Sequence, residues 1–241
     1  IADKSRTVED VSAEMMEKVI EALKNITFNR YPENTQKKLR EAYAAVAGVN
    51  ADQIIAGNGS DQLLGYLIGK LAGVEGTIYT FDPDFSMYDY YASSYGSQVI
   101  KYPCDEDGSL DIDSFIRYGN DQKADLVIFS NPNNPSGHCL SMEEVETVIQ
   151  GFDGTPVIVD EAYIEFADEA SAVALIEKYP QLYVTRTLSK AYGLAGMRVG
   201  FAIGQKKNMD ALREGYVPYA LSTPAMEIAC AVLSDPDAVQ K

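Results

Sequence analysis

A primary amine and a guanidinium stand eight residues apart in Thr187-Leu-Ser-Lys-Ala-Tyr-Gly-Leu-Ala-Gly-Met-Arg-Val-Gly200, as Lys190 and Arg198. A lysine amine attacks carbonyl carbon and holds aldehydes covalently. A guanidinium donates two charge-assisted hydrogen bonds to one phosphate through its planar fork. The hydroxyls of Thr187 and Ser189 add donors for the same anion. This segment could therefore hold a phosphorylated carbonyl compound by both of its ends. A strand-like run, Leu182 to Arg186, leads into it. Taken alone, Ser-Lys also describes a solvated loop, since most lysines are exposed. Other segments must decide.

Four further polar clusters follow apolar runs. Gly57-Asn-Gly-Ser-Asp61 permits close backbone approach and opens a helix whose free N–H groups suit a phosphate; alone it reads equally as a turn with a cap. Asp82-Pro-Asp-Phe-Ser-Met-Tyr88 offers Phe85, either a core residue or a ring to stack on a flat ligand. Ser130-Asn-Pro-Asn-Asn-Pro-Ser-Gly137 contains two Asn-Pro pairs that specify an extended, rigid loop, more than a plain turn needs. Asn134 there could donate its amide to a ligand oxygen. Val157-Ile-Val-Asp-Glu-Ala-Tyr163 ends an apolar strand on Asp160. Burying that carboxylate ionised and unpaired would cost several kcal/mol, so it calls for a cationic partner. The rival reading is a capping aspartate in water. Tyr163 lies three residues further on.

Positioning these clusters requires alternating strands and helices. Helical spacing covers residues 8–25 and 35–47, the second ending at Gly48. Another helix reaches about Leu71, with Ser60 or Asp61 as its N-cap. Strands are expected at 77–81, 98–102, 126–130, 157–160, 182–186 and 199–203. Helices are expected at 86–95, 112–118, 142–150 and 170–178, and a last one at 223–233. Several strands are apolar without alternation, as in a sheet buried on both faces. The pattern predicts an α/β domain with a mostly parallel central sheet sandwiched by helices. In such sheets ligands bind beyond the carboxyl ends of the strands.

Composition excludes several function classes. The chain has 241 residues and a net charge of -16, which argues against nucleic acid or anionic membrane as a partner. No stretch approaches the roughly 20 apolar residues of a membrane span. Three scattered cysteines, Cys104, Cys139 and Cys230, form neither a disulfide framework nor a metal motif. With no apolar secretion core in Ile1-Ala-Asp-Lys-Ser-Arg6, a cytoplasmic location is expected. The lone His138 reads as a loop residue, and no metal is expected.

In this order the clusters resemble the histidinol-phosphate aminotransferases, pyridoxal 5'-phosphate (PLP) enzymes of fold type I. The resemblance rests on Asn29-Arg-Tyr-Pro32, Gly57-Asn-Gly-Ser-Asp61, Ser130-Asn-Pro-Asn-Asn-Pro135, Val159-Asp-Glu-Ala-Tyr-Ile-Glu-Phe166 and Arg186-Thr-Leu-Ser-Lys-Ala-Tyr-Gly-Leu-Ala-Gly196. It implies an exchange of an amino group between L-histidinol phosphate and 2-oxoglutarate. Lys190 would bind the cofactor aldehyde and shuttle a proton. Asp160 would pair with the pyridine nitrogen, Tyr163 and Asn134 with the phenolic oxygen, and Phe85 would stack on the ring. Backbone groups of Ser60 and Asp61, with Thr187, Ser189 and Arg198, would hold the phosphate. Tyr31 would reach the cofactor phosphate of a partner subunit, which implies a homodimer with shared sites.

The implied organisation is an N-terminal helix and arm over 1–34, a PLP-binding large domain over 35–215, and the start of an interdomain helix and small domain over 216–241. The family's Asn-Glu-Asn-Pro-like segment has no counterpart before Tyr31, and most of its C-terminal small domain is expected to be missing. Threonine-phosphate decarboxylases and aromatic aminotransferases carry similar motifs, so the substrate stays open among them. A PLP-binding module without turnover and an α/β binding protein without PLP are the other readings.

Overall fold

The structure, a computed structural model, describes residues 12–239. The beginning of the first helical run, with Val8 and Val11, lies outside the described residues. Two amphipathic helices come first, α1 (Ala13–Lys24) and α2 (Lys37–Ala47). Gly48 ends α2 in the left-handed region at φ 71°, where a Cβ would be strained. Strand β1 (Ile54–Asn58) then runs directly into α3 (Gly59–Leu71).

Strands and helices alternate from there: β2 (Thr77–Asp82), α4 (Met87–Ser93), β3 (Gln98–Pro103), α5 (Ile112–Asp121), β4 (Leu126–Ser130), α6 (Met142–Gly151) and β5 (Val157–Asp160). Next come β6 (Leu182–Thr187), β7 (Val199–Gly204), α7 (Lys206–Glu214) and α8 (Thr223–Leu233). Ser141 and Glu144 start α6 with a capping box, each side chain bonding the other's backbone N–H.

All seven strands form one sheet in the order β1-β7-β6-β5-β4-β2-β3. β3, β2, β4, β5 and β6 are parallel, whereas β7 is antiparallel to both β6 and β1. β4, β5 and β7 are buried at every position, which explains their unbroken apolar runs. Val127 and Phe129 face one core with Tyr43, Phe115, Phe152 and Phe201. Leu126 and Ile128 face the other with Leu63, Leu67, Ile158 and Met209. The expected sandwich is present.

Two local expectations differ, and one helix, α7, had not been expected. The run 170–178 forms only a 3-10 turn over Ala172–Leu175. The buried Glu161 carboxylate binds Ala172 N and Ser171 Oγ at its start, and Pro180 lies just beyond its end, leaving no room for an α-helix. α3 begins one residue before Ser60, with Asn58 as N-cap and no side-chain cap bond, so neither Ser60 nor Asp61 is the cap. α7 carries only two buried residues, Met209 and Leu212, too sparse a stripe to stand out as a pattern. Among the described residues no helix is long and apolar enough to cross a membrane.

Candidate active site

β1, β2, β4, β5 and β6 all end at one edge of the sheet, because each runs in the same direction. β7 runs the other way, so its beginning lies at that edge and brings Arg198 there. A cavity of about 320 Å³ opens at this edge. Ten of the eleven residues expected from sequence line it: Ser60, Asp61, Phe85, Asn134, Asp160, Tyr163, Thr187, Ser189, Lys190 and Arg198. The eleventh, Tyr31, is 84% exposed and stacks on Tyr219, with centroids 5.1 Å apart.

Asp160 forms the buried floor. Its Oδ1 accepts from Thr185 Oγ1 at 2.8 Å and its Oδ2 from the Tyr88 hydroxyl at 3.1 Å. Burial pushes this carboxyl up to about 6, while the two hydroxyl bonds oppose the shift and the charge of Asp61 adds to it. Such a floor favours a cation above it, since a positive partner offsets the desolvation that burial imposes. Ser130, Asp160 and Thr185 sit level on neighbouring strands β4, β5 and β6.

Aromatic groups give the cavity its flat walls. Phe85 meets Tyr88 edge to face, with centroids 5.7 Å apart at 87°. Lys190 Nζ lies 5.2 Å from the Tyr163 ring centroid, within cation–π range. The Asn134 loop is held by its own backbone, since Asn134 N donates to Ser130 Oγ at 3.0 Å.

An anion fits at the other end of the cavity. The first turn of α3 presents Ser60 and Asp61, with N–H groups that have no intrahelical partner. Gly200 lets β7 pass close to this turn, for a Cβ there would lie 2.2 Å from Ser60 N. Arg198 sits in the left-handed region at φ 54° and donates Nη2 to Asp61 Oδ2 at 2.7 Å. A non-glycine residue in that region stores strain of a kind that clusters at ligand clamps. Ser189 Oγ is buried without a hydrogen-bond partner. Buried hydroxyls nearly always have one, so this donor beside Arg198 and a helix N-terminus fits a phosphate oxygen. Thr187 Oγ1 accepts from Ser189 N at 3.1 Å and shapes the same turn.

On the opposite face of β5 and β6, Arg186 donates Nε to Glu161 Oε2 at 2.7 Å and Nη1 to Glu165 Oε1 at 3.1 Å. Burial pushes the Glu165 carboxyl up, with Arg186 opposing. These bonds anchor the turn that carries Tyr163.

Sequence patterns did not single out Tyr88, Thr185 or Ser130 as parts of the site. Thr185 carried a signal, a hydroxyl inside an apolar strand and two residues from Thr187, on the same face. Tyr88 carried none beyond lying in the Asp82–Tyr88 cluster, since a buried tyrosine on a helix reads as core.

The aminotransferase class I and II family model matches residues 2–241. A histidinol-phosphate aminotransferase of Clostridium kluyveri is 37% identical over 94% of this chain and 64% of its own length. A crystal structure of histidinol-phosphate aminotransferase from Sinorhizobium meliloti, in complex with pyridoxal-5'-phosphate, superposes with TM-score 0.89 at 25% identity, covering 97% of this chain and 64% of that one. An L-threonine-O-3-phosphate decarboxylase structure from Porphyromonas gingivalis gives TM-score 0.83 at 25% identity, covering 98% of this chain and 72% of the other. The chain thus spans just under two thirds of the length of the first two. Its sheet is that of the fold type I enzymes. With the family model matched over residues 2–241 and the amine, floor carboxylate and anion cradle gathered at one sheet edge, the chain belongs to the class I and II aminotransferases.

Proposed function

We propose that the protein is a PLP-dependent transaminase that moves an amino group between L-histidinol phosphate and 2-oxoglutarate, as a step in histidine biosynthesis. The observation that carries this reading is the convergence of Lys190, Asp160, Asn134, Tyr163, Ser189 and Arg198 on one cavity. When bound, PLP supplies an aldehyde that takes a primary amine and a ring that accepts an electron pair from the substrate carbon. Lys190 Nζ would bind the cofactor aldehyde, and as a free amine it would carry a proton between the substrate carbon and the cofactor. Asp160 holds a proton on the ring nitrogen by presenting a buried negative charge to it. Tyr163 and Asn134 hydrogen-bond the phenolic oxygen and orient the ring against Phe85. The α3 N-terminus, Ser60, Asp61 backbone groups, Thr187, Ser189 and Arg198 hold the phosphate. In this reading Arg198 leaves Asp61, or shares itself between Asp61 and the phosphate.

The organisation proposed for the chain keeps 1–34 as an arm, 35–215 as the cofactor domain and 216–241 as the start of a second unit. The exposed Tyr31 supports a homodimer in which it reaches the partner's phosphate. A cytoplasmic location belongs to the same reading.

A phosphate-ester decarboxylase is the second reading, favoured by the TM-score 0.83 match to the P. gingivalis enzyme. An absorbance titration separates them. PLP is added to the protein, followed by L-histidinol phosphate and then 2-oxoglutarate. Bleaching of the visible cofactor band by the donor, and its return with the 2-oxo acid, is the expected result. Release of carbon dioxide from L-threonine O-3-phosphate would select the decarboxylase. A stable band that no donor bleaches would leave a PLP-binding protein without turnover.

A further inference from the structure

Asp84 lies one residue before Phe85 and is used by none of the steps above. It stands where two strands part. β2 and β4 pair only at Ile78 with Leu126 and at Tyr79 with Val127. Beyond those pairs no ladder ties the end of β2, which leads to Phe85, to the end of β4, which leads to Asn134. Asn131 N donates to Asp160 O on β5 at 2.9 Å, so the N–H before it, that of Ser130, faces β2. Ser130 is 3% exposed, and a buried N–H needs an acceptor. That acceptor is the Asp84 side chain, whose Oδ2 takes Ser130 N at 3.1 Å.

The same carboxylate holds more of both loops. Oδ1 accepts from Phe85 N at 2.7 Å and from the Ser130 hydroxyl. Ser130 Oγ in turn accepts from Asn134 N at 3.0 Å. Asn133 Nδ2 adds a bond to Pro83 O at 3.2 Å, and Asn133 Oδ1 accepts from Ser136 Oγ at 2.7 Å. Every link from Asp84 to Asn134 is thus a direct hydrogen bond. A carboxylate suits the place and an amide does not, because a backbone N–H meets each oxygen and an amide has only one acceptor atom. Phe85, Ser130 and Asn134 line the cavity, with Asp84 behind them.

We propose that Asp84 is a positioning residue that stands in for the missing β2–β4 ladder and, through Ser130, holds Asn134 in place to bond the cofactor's phenolic oxygen. The inference rests on the PLP reading for its functional meaning, and on geometry alone for the link itself. A hydrogen bond from Asn134 to the phenolic oxygen lowers the proton affinity of the bound cofactor. If Asp84 acts by placing Asn134, its loss raises that affinity. Loss of a nearby negative charge by itself does the opposite, so the sign separates positioning from charge. Burial pushes the Asp84 carboxyl up to about 7, with the bonds from Ser130 and Phe85 opposing and the charge of Asp160 adding. The test is therefore read above about pH 8, where the wild-type carboxyl is charged.

The test compares wild type with Asp84→Asn, which leaves one oxygen for two backbone donors, and with Ser130→Ala, which cuts the link to Asn134 without removing a charge. In the PLP-loaded proteins, absorbance is followed upward from about pH 8. Each variant should raise the ratio of protonated to unprotonated bound cofactor at matched pH by about threefold or more, as partial loss of one hydrogen bond implies. In an Asn134→Ala background neither substitution should raise it, since the effect passes through that amide. An unchanged or lowered ratio in either folded single variant, or a rise that persists without the Asn134 amide, overturns the proposal. Without cofactor, amide hydrogen exchange followed by NMR reads the link itself. In Asp84→Asn the N–H of Phe85 or of Ser130 should exchange faster than in wild type, and wild-type rates at both overturn the link. Ser130→Ala carries the test if Asp84→Asn does not fold. If wild type takes up no PLP, the functional reading fails, while the exchange rates still decide whether Asp84 joins the two strand ends.

Discussion

Lys190 and Asp160 divide the chemistry between an amine at the cavity wall and a carboxylate beneath it. Replacing Lys190 with alanine should abolish the borohydride-trapped PLP adduct and lower turnover by about 10³-fold or more, because both the attachment point and the proton carrier are lost. Mass spectrometry of the reduced protein and a turnover assay check this. Asp160 makes a different, pH-dependent prediction. Its folded carboxyl is raised to about 6 from an ordinary value of 3.8. Well below pH 3.8 it is neutral in folded and unfolded chains alike and has no effect on stability. As pH rises from about 4 through 6 the unfolded carboxyl ionises first while burial resists the folded charge, so stability falls, by up to about 3 kcal/mol once both are charged. Asp160→Asn lacks this loss. Without cofactor the variant should therefore melt close to wild type near pH 4 and above it near pH 8, and PLP should narrow the gap at pH 8. Thermal denaturation at the two pH values reads the difference. Asp160 was legible from sequence because a charge ending an apolar strand demands a partner. Its hydroxyl partners were not, because Thr185 and Tyr88 meet it across 25 and 72 residues of chain.

The anion cradle depends on how two elements approach. α3 can begin beside β7 only because Gly200 has no side chain, its absent Cβ lying 2.2 Å from the Ser60 backbone nitrogen. That neighbour is backbone and cannot rotate aside. Gly200→Ala should cost about 1–3 kcal/mol by overpacking and weaken PLP binding by displacing the helix N-terminus, with urea denaturation and absorbance titration as the measurements. At this scale, sequence patterns placed most strands and helices within a residue or two. They failed where local and long-range forces disagree. The 170–178 run has helical spacing, but Glu161 claims the Ala172 N–H and the Ser171 hydroxyl at its start, and α7 buries too few residues to reveal a period.

Taken whole, the chain does not place Tyr31 in the lining of its own cavity; the ring is 84% exposed and stacks on Tyr219. If Tyr31 serves a partner's site, Tyr31→Ala and Lys190→Ala are defects in different subunits of one site. Mixing the two inactive or weakened variants under exchange conditions should then restore activity, since each hybrid dimer pairs an intact Lys190 with an intact Tyr31. No recovery, with exchange verified by sizing of tagged chains, would refute the shared site. The charge of -16 sets a further condition at this scale. A phosphate ligand must be met by local donors against an unfavourable overall field, so its binding should depend strongly on Arg198 and the α3 N-terminus.

The sequence by itself determined which side chains end each strand, that both faces of the sheet are buried, and that an amine, a carboxylate and an anion site were at hand. Each follows from residue type and short-range spacing, which act within a few residues. Only the tertiary structure decided that β7 runs against its neighbours and so returns Arg198 to the edge where the parallel strands end. It also decided that Arg198 pairs with Asp61 and that the hydroxyls of Thr185 and Tyr88 meet on Asp160. Strand direction and such pairings are set by hydrogen bonds and packing between segments far apart in the chain, and no local pattern encodes which distant partner wins.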